Sequence, residues 1–310
     1  MHIVVLGGTG FVGRRLLPRL LSDGHRVTVL SRNPAAHAER LLAPGAELRQ
    51  LDVYDPAALR GALAGADAVV NLVGILNESG DDGRGFHRAH VELCEHIIAA
   101  CRDGGPRRLL QMSALNAGRG DSHYLASRGE CEAAVKASGL DWTLFEPSVI
   151  FGPGDGLFTR FGALLRLLPV LPLACAGARF APVYVGDVAE AFARALRDRH
   201  ATGEVYELYG PDVFTLREIV MLCARQLGLR RLVIPLPDTL GRLQALVGDL
   251  VPGKPFSSDN FRSLQTDSVG GIDGLYRLGI VPTRVAAVLS DILGGPDDKE
   301  HRYTRYRAMH

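Results

Sequence analysis

Seven residues near the start, Gly7-Gly8-Thr9-Gly10-Phe11-Val12-Gly13, restrict the fold of this chain more than any other stretch. They follow a short β-rich run, His2 to Leu6, and open a segment of helical period over residues 11 to 22. The spacing satisfies both Gly8-x-Gly10-x-x-Gly13 and Gly7-x-x-Gly10-x-x-Gly13. Between a strand and a helix, the first glycines permit a tight turn, Gly10 lets the backbone approach a pyrophosphate, and Gly13 lets helix and strand pack closely. The helix N-terminus then presents N–H groups to the anion. This arrangement predicts a dinucleotide ligand touching Gly7, Thr9, Gly10, Phe11, Val12 and Gly13.

Up to about residue 150 the chain keeps the rhythm of βαβ units. Strands are expected at His2 to Leu6, Arg26 to Leu30, Glu47 to Gln50, Ala68 to Leu72, Arg108 to Met112 and Trp142 to Phe145. Helical patterns at 11–22, 56–64, 86–103 and 123–138 alternate with them. The expected fold class is therefore α/β, a Rossmann-like doubly wound parallel sheet with a small carboxy-terminal lobe. After Gly152-Pro153-Gly154 the rhythm breaks into a Leu-rich helix ending at Pro169, a strand Pro182 to Val185, a helix Asp187 to Asp198, a strand Val205 to Tyr209, and a helix capped by Thr215. The expected division is 1–152 for the NAD(P)-binding part and 153–296 for a lobe interleaved with the last sheet strand. Residues 297–310 form a basic tail, expected to be mobile.

The end of the second strand indicates which dinucleotide is preferred. An NAD site usually places Asp or Glu there to hold the ribose hydroxyls. Here the strand ends Leu30-Ser31-Arg32-Asn33, without a carboxylate, and the Arg32 fork suits a 2′-phosphate. NADP(H) is the expected cofactor, with NAD(H) as the alternative. Arginine is also this chain's habitual cation, since only Lys136, Lys254 and Lys299 are lysine among 35 basic residues. Asp52-Val53 follows the third strand and is placed to bracket the adenine. Leu72-Val73-Gly74 follows the fourth, where glycine permits close backbone approach.

Composition excludes other classes. A net charge of +1 provides no global field for nucleic acid. Five cysteines without a CxxC pair read as reduced, mostly buried thiols. The first apolar run ends at Gly7-Gly8, so no secretory segment is expected at the amino terminus. The most apolar stretch, Ala163 to Ala174, contains Arg166, Pro169 and Pro172 and falls short of the ~20 residues of a spanning helix. A cytoplasmic location is expected, peripheral to the inner membrane if the chain meets a membrane at all.

The residues also resemble a known family. The Gly7 to Gly13 loop, Asp52-Val53, a Tyr124-x-x-x-Arg128 pair and Pro147 are similar to motifs of the extended short-chain dehydrogenase/reductases. Val70-Asn71-Leu72-Val73-Gly74-Ile75-Leu76, Met112-Ser113-Ala114-Leu115, Glu146 to Asp155 with Ile150 in it, and Phe180 to Ala189 resemble an atypical branch of them. That branch contains the NADPH-binding accessory subunit nine of the respiratory complex I alpha subcomplex and bacterial relatives. The resemblance implies that Pro147 and Ile150 line the cofactor, that Tyr124 reaches the nicotinamide, and that a respiratory-chain or membrane-surface partner exists.

In catalytic members a tyrosine is the acid/base, a lysine one turn later holds the ribose, and a Ser or Thr polarises the substrate. Here Tyr124 is present, Arg128 stands in place of lysine, and the polar residue expected two positions beyond Ser113 is Leu115. The candidate catalytic residues are therefore Tyr124, Arg128 and Ser113. Two functions follow. One is a complex I accessory-type protein with NADP(H) in a structural or sensing role. The other is an oxidoreductase or epimerase/dehydratase acting on a sugar nucleotide or quinone-like molecule.

Other patterns carry less chemistry. His87, His90 and Cys94 share a helix face, but no second cluster supplies further ligands, so no metal is expected. Ser113 lacks the Gly-x-Ser-x-Gly elbow of hydrolases. Arg179 is a candidate contact for a substrate phosphate. In Leu157 to Leu173, the residues Leu157, Phe158, Phe161, Leu164, Leu165 and Leu168 form an apolar stripe near Arg160 and Arg166. That stripe suits the chain's own core, and also a membrane surface or partner groove.

Overall fold

The computed structural model describes residues 1–33 and 43–294. The expected basic tail at 297–310 lies outside them. Seven strands, β1 (His2–Leu6), β2 (Arg26–Ser31), β3 (Glu47–Gln50), β4 (Ala68–Asn71), β5 (Arg108–Met112), β6 (Asp141–Pro147) and β7 (Glu204–Leu208), form one sheet in the order β7-β6-β5-β4-β1-β2-β3. Every pairing in it is parallel. The order reverses at β1, so the carboxyl ends of β1 and β4 flank a crevice, the usual ligand position in such sheets.

Helix α1 (Gly13–Ser22) follows β1, α2 (Pro56–Leu63) follows β3, and α3 runs from Arg84–His87 through a π-helical turn, Arg88–Glu92, into Leu93–Arg102. Helix α4 (His123–Lys136) connects β5 to β6. Beyond the sheet's sixth strand come α5 (Phe158–Leu167), α6 (Val185–Arg197), α7 (Leu216–Gln226), α8 (Asp238–Asp249), α9 (Ser258–Ser263) and α10 (Val285–Leu293). Strand alternation divides the apolar side chains into two layers. Ile3, Val5, Val27, Val29, Val70, Leu110 and Phe145 face Leu16, Leu17 and Leu20 of α1 and Val188, Phe192 and Leu196 of α6. Val4, Leu6, Val69, Leu109 and Leu144 face Leu59 and Leu63 of α2, Leu93 and Ile97 of α3, and Cys131 and Val135 of α4.

A third core lies off the sheet, formed by Phe151, Phe158, Leu165, Leu171, Leu173, Phe180, Ile219, Val220, Val285 and Leu289. Phe158 and Leu165 are fully buried in it and Leu157 and Phe161 pack against it, so most of the expected stripe faces the chain's own core, while Leu168 at its end is exposed. Three short strand pairs frame this core: Ile150–Phe151 with Val183–Tyr184, Arg179–Phe180 with Phe214–Thr215, and Val170–Leu173 with Leu232–Pro235. Thr215 caps α7 reciprocally with Glu218. All five cysteines are free, four of them buried and Cys175 half-buried.

The second half of the chain is tied back to the sheet. β7 extends it beside β6, and α6 covers it beside α1. The Phe145 and Phe192 rings stack at 3.9 Å between centroids, joining β6 to α6. Phe192→Ala removes a fully buried ring from this junction and is expected to cost about 3–5 kcal/mol in denaturant unfolding. A loss below about 1 kcal/mol would mean that the α6 layer does not unfold with the sheet.

Candidate functional site

The glycine loop leaves no room for side chains. Gly7 has φ +75°, and a Cβ there would stand 2.9 Å from the backbone of Leu72 and Val73. A Cβ on Gly13 would overlap the Gly8 carbonyl, and one on Gly8 would meet Val29 Cγ1 at 2.9 Å. Gly10 N donates to Gly7 O at 3.0 Å, closing the turn. Helix α1, with Val12 at its N-cap, has no side-chain cap and no acidic residue in its first turn. Its N-terminal N–H groups and dipole therefore suit an anion. This cradle fits the pyrophosphate of a dinucleotide, with Thr9, Gly10, Phe11 and Val12 on its wall. Phe11 Cζ lies 3.6 Å from where a Cβ of Gly152 would stand, and Arg14 Nη2 lies 3.7 Å from the corresponding point at Gly154. Residues 152–154 thus lie beside Phe11 and Arg14 at the start of α1.

At the carboxyl ends of β2 and β3, Arg32 and Asp52 are exposed while Val53 is buried. Asp52 Oδ1 accepts from Tyr54 N at 3.1 Å, which fixes the turn after β3. Arg88 lies over the Tyr54 ring at 4.4 Å. Burial raises the Tyr54 phenol above its ordinary pKa, and Arg88 and Arg32 oppose that shift. Both guanidiniums thus lend positive charge to the surroundings of Tyr54, Arg88 in direct contact with its ring. Arg14, Tyr54 and Arg88 escape sequence reasoning because no motif spacing marks them.

The fourth strand leads to Gly74 and the buried Arg128. Leu72 N donates to Leu6 O at 2.9 Å, and Val73 N donates to Asn71 Oδ1 at 3.1 Å. The Arg128 guanidinium fills the space that a Cβ on Gly74 would need. Arg128 is 5% exposed. Its Nη1 donates to Met112 O at 3.0 Å, and its Nε has no partner among the described residues. A buried cation without a carboxylate partner is costly. The electron-rich ribose and diphosphate of a dinucleotide are the kind of group it suits.

Tyr124 stands beside it, with the Arg128 guanidinium carbon 5.6 Å from the ring centroid. Phe86 and His90 contact Tyr124 edge-on at 6.0 and 5.6 Å. Burial, reinforced by Arg128, pushes His90 down to about 2, so it is neutral. Its Nε2 accepts from Ile75 N at 3.2 Å, which leaves the proton on Nδ1, 2.8 Å from Ser127 Oγ. Ser127 Oγ in turn donates to Tyr124 O at 2.9 Å. His90 is thus committed to holding the Tyr124 turn. His87 points elsewhere, 3.9 Å from Glu130, and Cys94 Sγ faces Cys131 O at 3.9 Å.

Ser113 is drawn away from this group. Its Oγ donates to Glu132 Oε1 at 2.6 Å, two turns beyond Tyr124 on α4. Lys136 Nζ holds the other Glu132 oxygen at 2.9 Å. Leu115 is buried and donates its N–H to Pro147 O at 3.0 Å. Pro147 is buried and Ile150 half-buried at the carboxyl end of β6.

The Tyr124 helix begins under control of the smaller lobe. Asp259 accepts from His123 N at 2.7 Å and from Tyr124 N at 3.2 Å. Arg262 joins Asp259 at 3.2 Å to Asp81 at 2.5 Å. Asp81, His123 and Asp259 lie close enough together to ligate an ion, but Arg262 already supplies the cation there.

Residues 7–156 match a family model described as NAD(P)H-binding. Over 94% of its length the chain is 28% identical to NADH dehydrogenase (ubiquinone) 1 alpha subcomplex subunit 9, mitochondrial, of Arabidopsis thaliana, spanning 78% of that protein. It is 31% identical, over 73% of this chain and 74% of the relative, to the (4-alkanoyl-5-oxo-2,5-dihydrofuran-3-yl)methyl phosphate reductase of Streptomyces griseus. Among solved structures, the UDP-glucose 4-epimerase of Thermus thermophilus in complex with NAD matches with a TM-score of 0.67 and 25% identity, covering 84% of this chain and 99% of that one.

The Ser113 network also sets a pH dependence. Glu146 is raised to about 7, first by burial and then by the neighbouring Glu132 carboxylate. Folding therefore favours the protonated Glu146. Its contribution to stability is complete below the ordinary value of 4.5 and is lost as pH rises through about 7. Glu146→Gln is expected to stabilise the chain by about 1–2 kcal/mol near pH ~8, with the difference vanishing toward pH ~4. Thermal melts across that range check it, and a pH-independent difference would remove Glu146 as the titrating group.

Proposed function

The chain belongs to the atypical extended short-chain dehydrogenase/reductase family, and from that membership we propose that it is an NADP(H)-binding protein of the complex I accessory-subunit type. In this reading the cofactor stabilises or reports on the fold and is not turned over. It associates with a respiratory-chain partner, peripherally at the inner membrane. The observation that carries the reading is the state of the three candidate catalytic residues. Arg128 is buried against Gly74 and Met112 O, Ser113 is engaged by Glu132, and Tyr124 is left with aromatic neighbours and one guanidinium. A forked, buried arginine binds but does not reproduce the single ribose contact of a lysine.

When bound, the dinucleotide would supply a hydride donor or acceptor at its nicotinamide. The glycine loop would hold the pyrophosphate, and Asp52 and Val53 would bracket the adenine. Arg128, behind Gly74, would face the nicotinamide half, and Leu72, Val73, Pro147 and Ile150 would exclude water along it. The preference for NADP(H) over NAD(H) is supported by the exposed Arg32 at the end of β2, where no carboxylate stands to hold ribose hydroxyls. The second reading, an oxidoreductase or epimerase, is favoured by one contact. The Arg128 cation beside the Tyr124 ring is placed to stabilise a phenolate.

Calorimetric titration is expected to give tighter binding of NADPH than NADH, and Arg32→Glu is expected to weaken NADPH by about tenfold or more. A hundredfold excess of NADPH over its Kd should add about 2.7 kcal/mol and raise the melting temperature by several degrees. Equal affinities, or a melting temperature that ignores NADPH, would defeat the cofactor reading. Tyr124→Phe is expected to leave NADPH affinity unchanged and to abolish any turnover found with sugar nucleotides, quinones or carbonyls. Robust wild-type turnover in that screen would promote the second reading.

A further inference from the structure

Helix α8 packs with its small residues inward. Gly241, Ala245 and Gly248 are buried. A Cβ on Gly241 would stand 3.2 Å from Ala174 Cβ, and one on Gly248 would overlap the Phe256 carbonyl. Gln244 fastens the same side to the Val170–Leu173 strand, accepting from Ala174 N and donating to Pro172 O, both at 3.2 Å. The opposite side carries Leu240, Leu243, Leu246, Val247 and Leu250, which are 49–85% exposed. At 3.6 residues per turn these five share an arc of about 120°. A surface helix normally turns such a stripe toward its core.

The apolar surface continues past the helix. Val170, Leu232 and Ile234 are exposed on the paired strands beside α8, and Leu167 and Leu168 are exposed at the end of α5. Leu232 N donates to Pro169 O at 3.0 Å, and Arg231 Nε donates to Leu165 O at 2.6 Å, so these segments are neighbours.

Arg166, Arg230, Arg231 and Arg242 border this surface, and none of them pairs with a carboxylate among the described residues. The carboxylates of residues 228–256 are Asp238 and Asp249. Asp249 is held by Ser258 Oγ at 2.6 Å and faces Lys254 at 3.9 Å. In a chain of net charge +1, this positive rim is a local feature.

We infer that this face docks on an anionic bilayer surface, with α8 lying in the plane of the interface. The leucines enter the headgroup boundary and the arginine stems lie along them with their charged ends at the phosphates. Each cation near an anionic leaflet contributes about fivefold in affinity. Charge also discriminates against a second copy, because a two-fold contact through one face sets the same positive rim against itself. The inference deepens the peripheral placement proposed above. It is read out without dinucleotide, so this reading and the cofactor reading fail separately.

The test is co-sedimentation of the full chain, free of dinucleotide, with phosphatidylcholine vesicles with and without phosphatidylglycerol. Binding is expected to the phosphatidylglycerol vesicles and to fall with added salt. Leu243→Asp and Leu246→Asp are each expected to weaken it by about tenfold or more while leaving the melting temperature unchanged. Val281→Asp, at a residue 75% exposed elsewhere, should leave binding intact. Absence of binding, or binding indifferent to the α8 variants, would overturn the inference. So would a wild-type dimer in solution that Leu246→Asp dissolves, since the face would then belong to a second copy.

Discussion

At two positions of the glycine loop the backbone approaches so closely that no Cβ fits, and the placement of everything near the site depends on this. Gly13 sits against the Gly8 carbonyl, which brings α1 down onto the start of its own turn. Gly7 sits against the backbone of Leu72 and Val73, which fixes the exit of β4 to the exit of β1. The two strands that flank the crevice are thereby held at backbone contact distance. The geometry follows from the absence of atoms, so it cannot be restored by a compensating side chain elsewhere.

The second constraint is the buried charge of Arg128. A guanidinium at 5% exposure with one carbonyl acceptor is a poor match for an apolar interior. Its neighbours are arranged to tolerate it. Gly74 supplies the space, Met112 an acceptor and Tyr124 a ring face, and His90, neutral chiefly through its own burial, adds no second charge. A carboxylate nearby would neutralise the charge, but the nearest buried acid on the same helix face, Glu132, is occupied by Ser113 and Lys136. The site therefore retains an unspent positive potential facing the crevice.

Much of this was legible in the residue order. Periodicity placed β1, β3 and β5 with their observed ends and the others within about two residues. β1, β4 and β5 are buried strands that read as short apolar runs between turn residues, whereas β3 is an exposed edge strand read from its place in the βαβ rhythm. The glycine loop, Arg32 and Gly74 were visible because each occupies a fixed offset from a strand end. The roles of Arg88, His90 and Asp259 were not visible, since each acts across more than a dozen residues of sequence through contacts that only packing creates. The π-helical turn at Arg88–Glu92 was also hidden, because one extra residue per turn does not disturb an apolar pattern enough to register. The stripe of α5 and the leucines of α8 show the limit most clearly. Both are apolar at helical spacing, yet one faces the core and the other faces out, and only the Gly241, Ala245 and Gly248 face of α8 decides between them.

The carboxylate that closes the first turn of α4 comes from a residue 136 positions later than the N–H it accepts from. During synthesis the sheet strands up to β6 and their covering helices leave the ribosome well before Asp259 exists. At about 5–20 residues per second, the turn bearing Tyr124 waits about 7–27 s for its distant cap. In that interval Ser122 holds the helix start alone, through Leu125 N. The nascent chain thus has a defined order of completion, in which the glycine cradle can be finished early while the opposite wall of the crevice is finished near the end. A ribosome pausing before residue 259 would carry a chain with half of that crevice built.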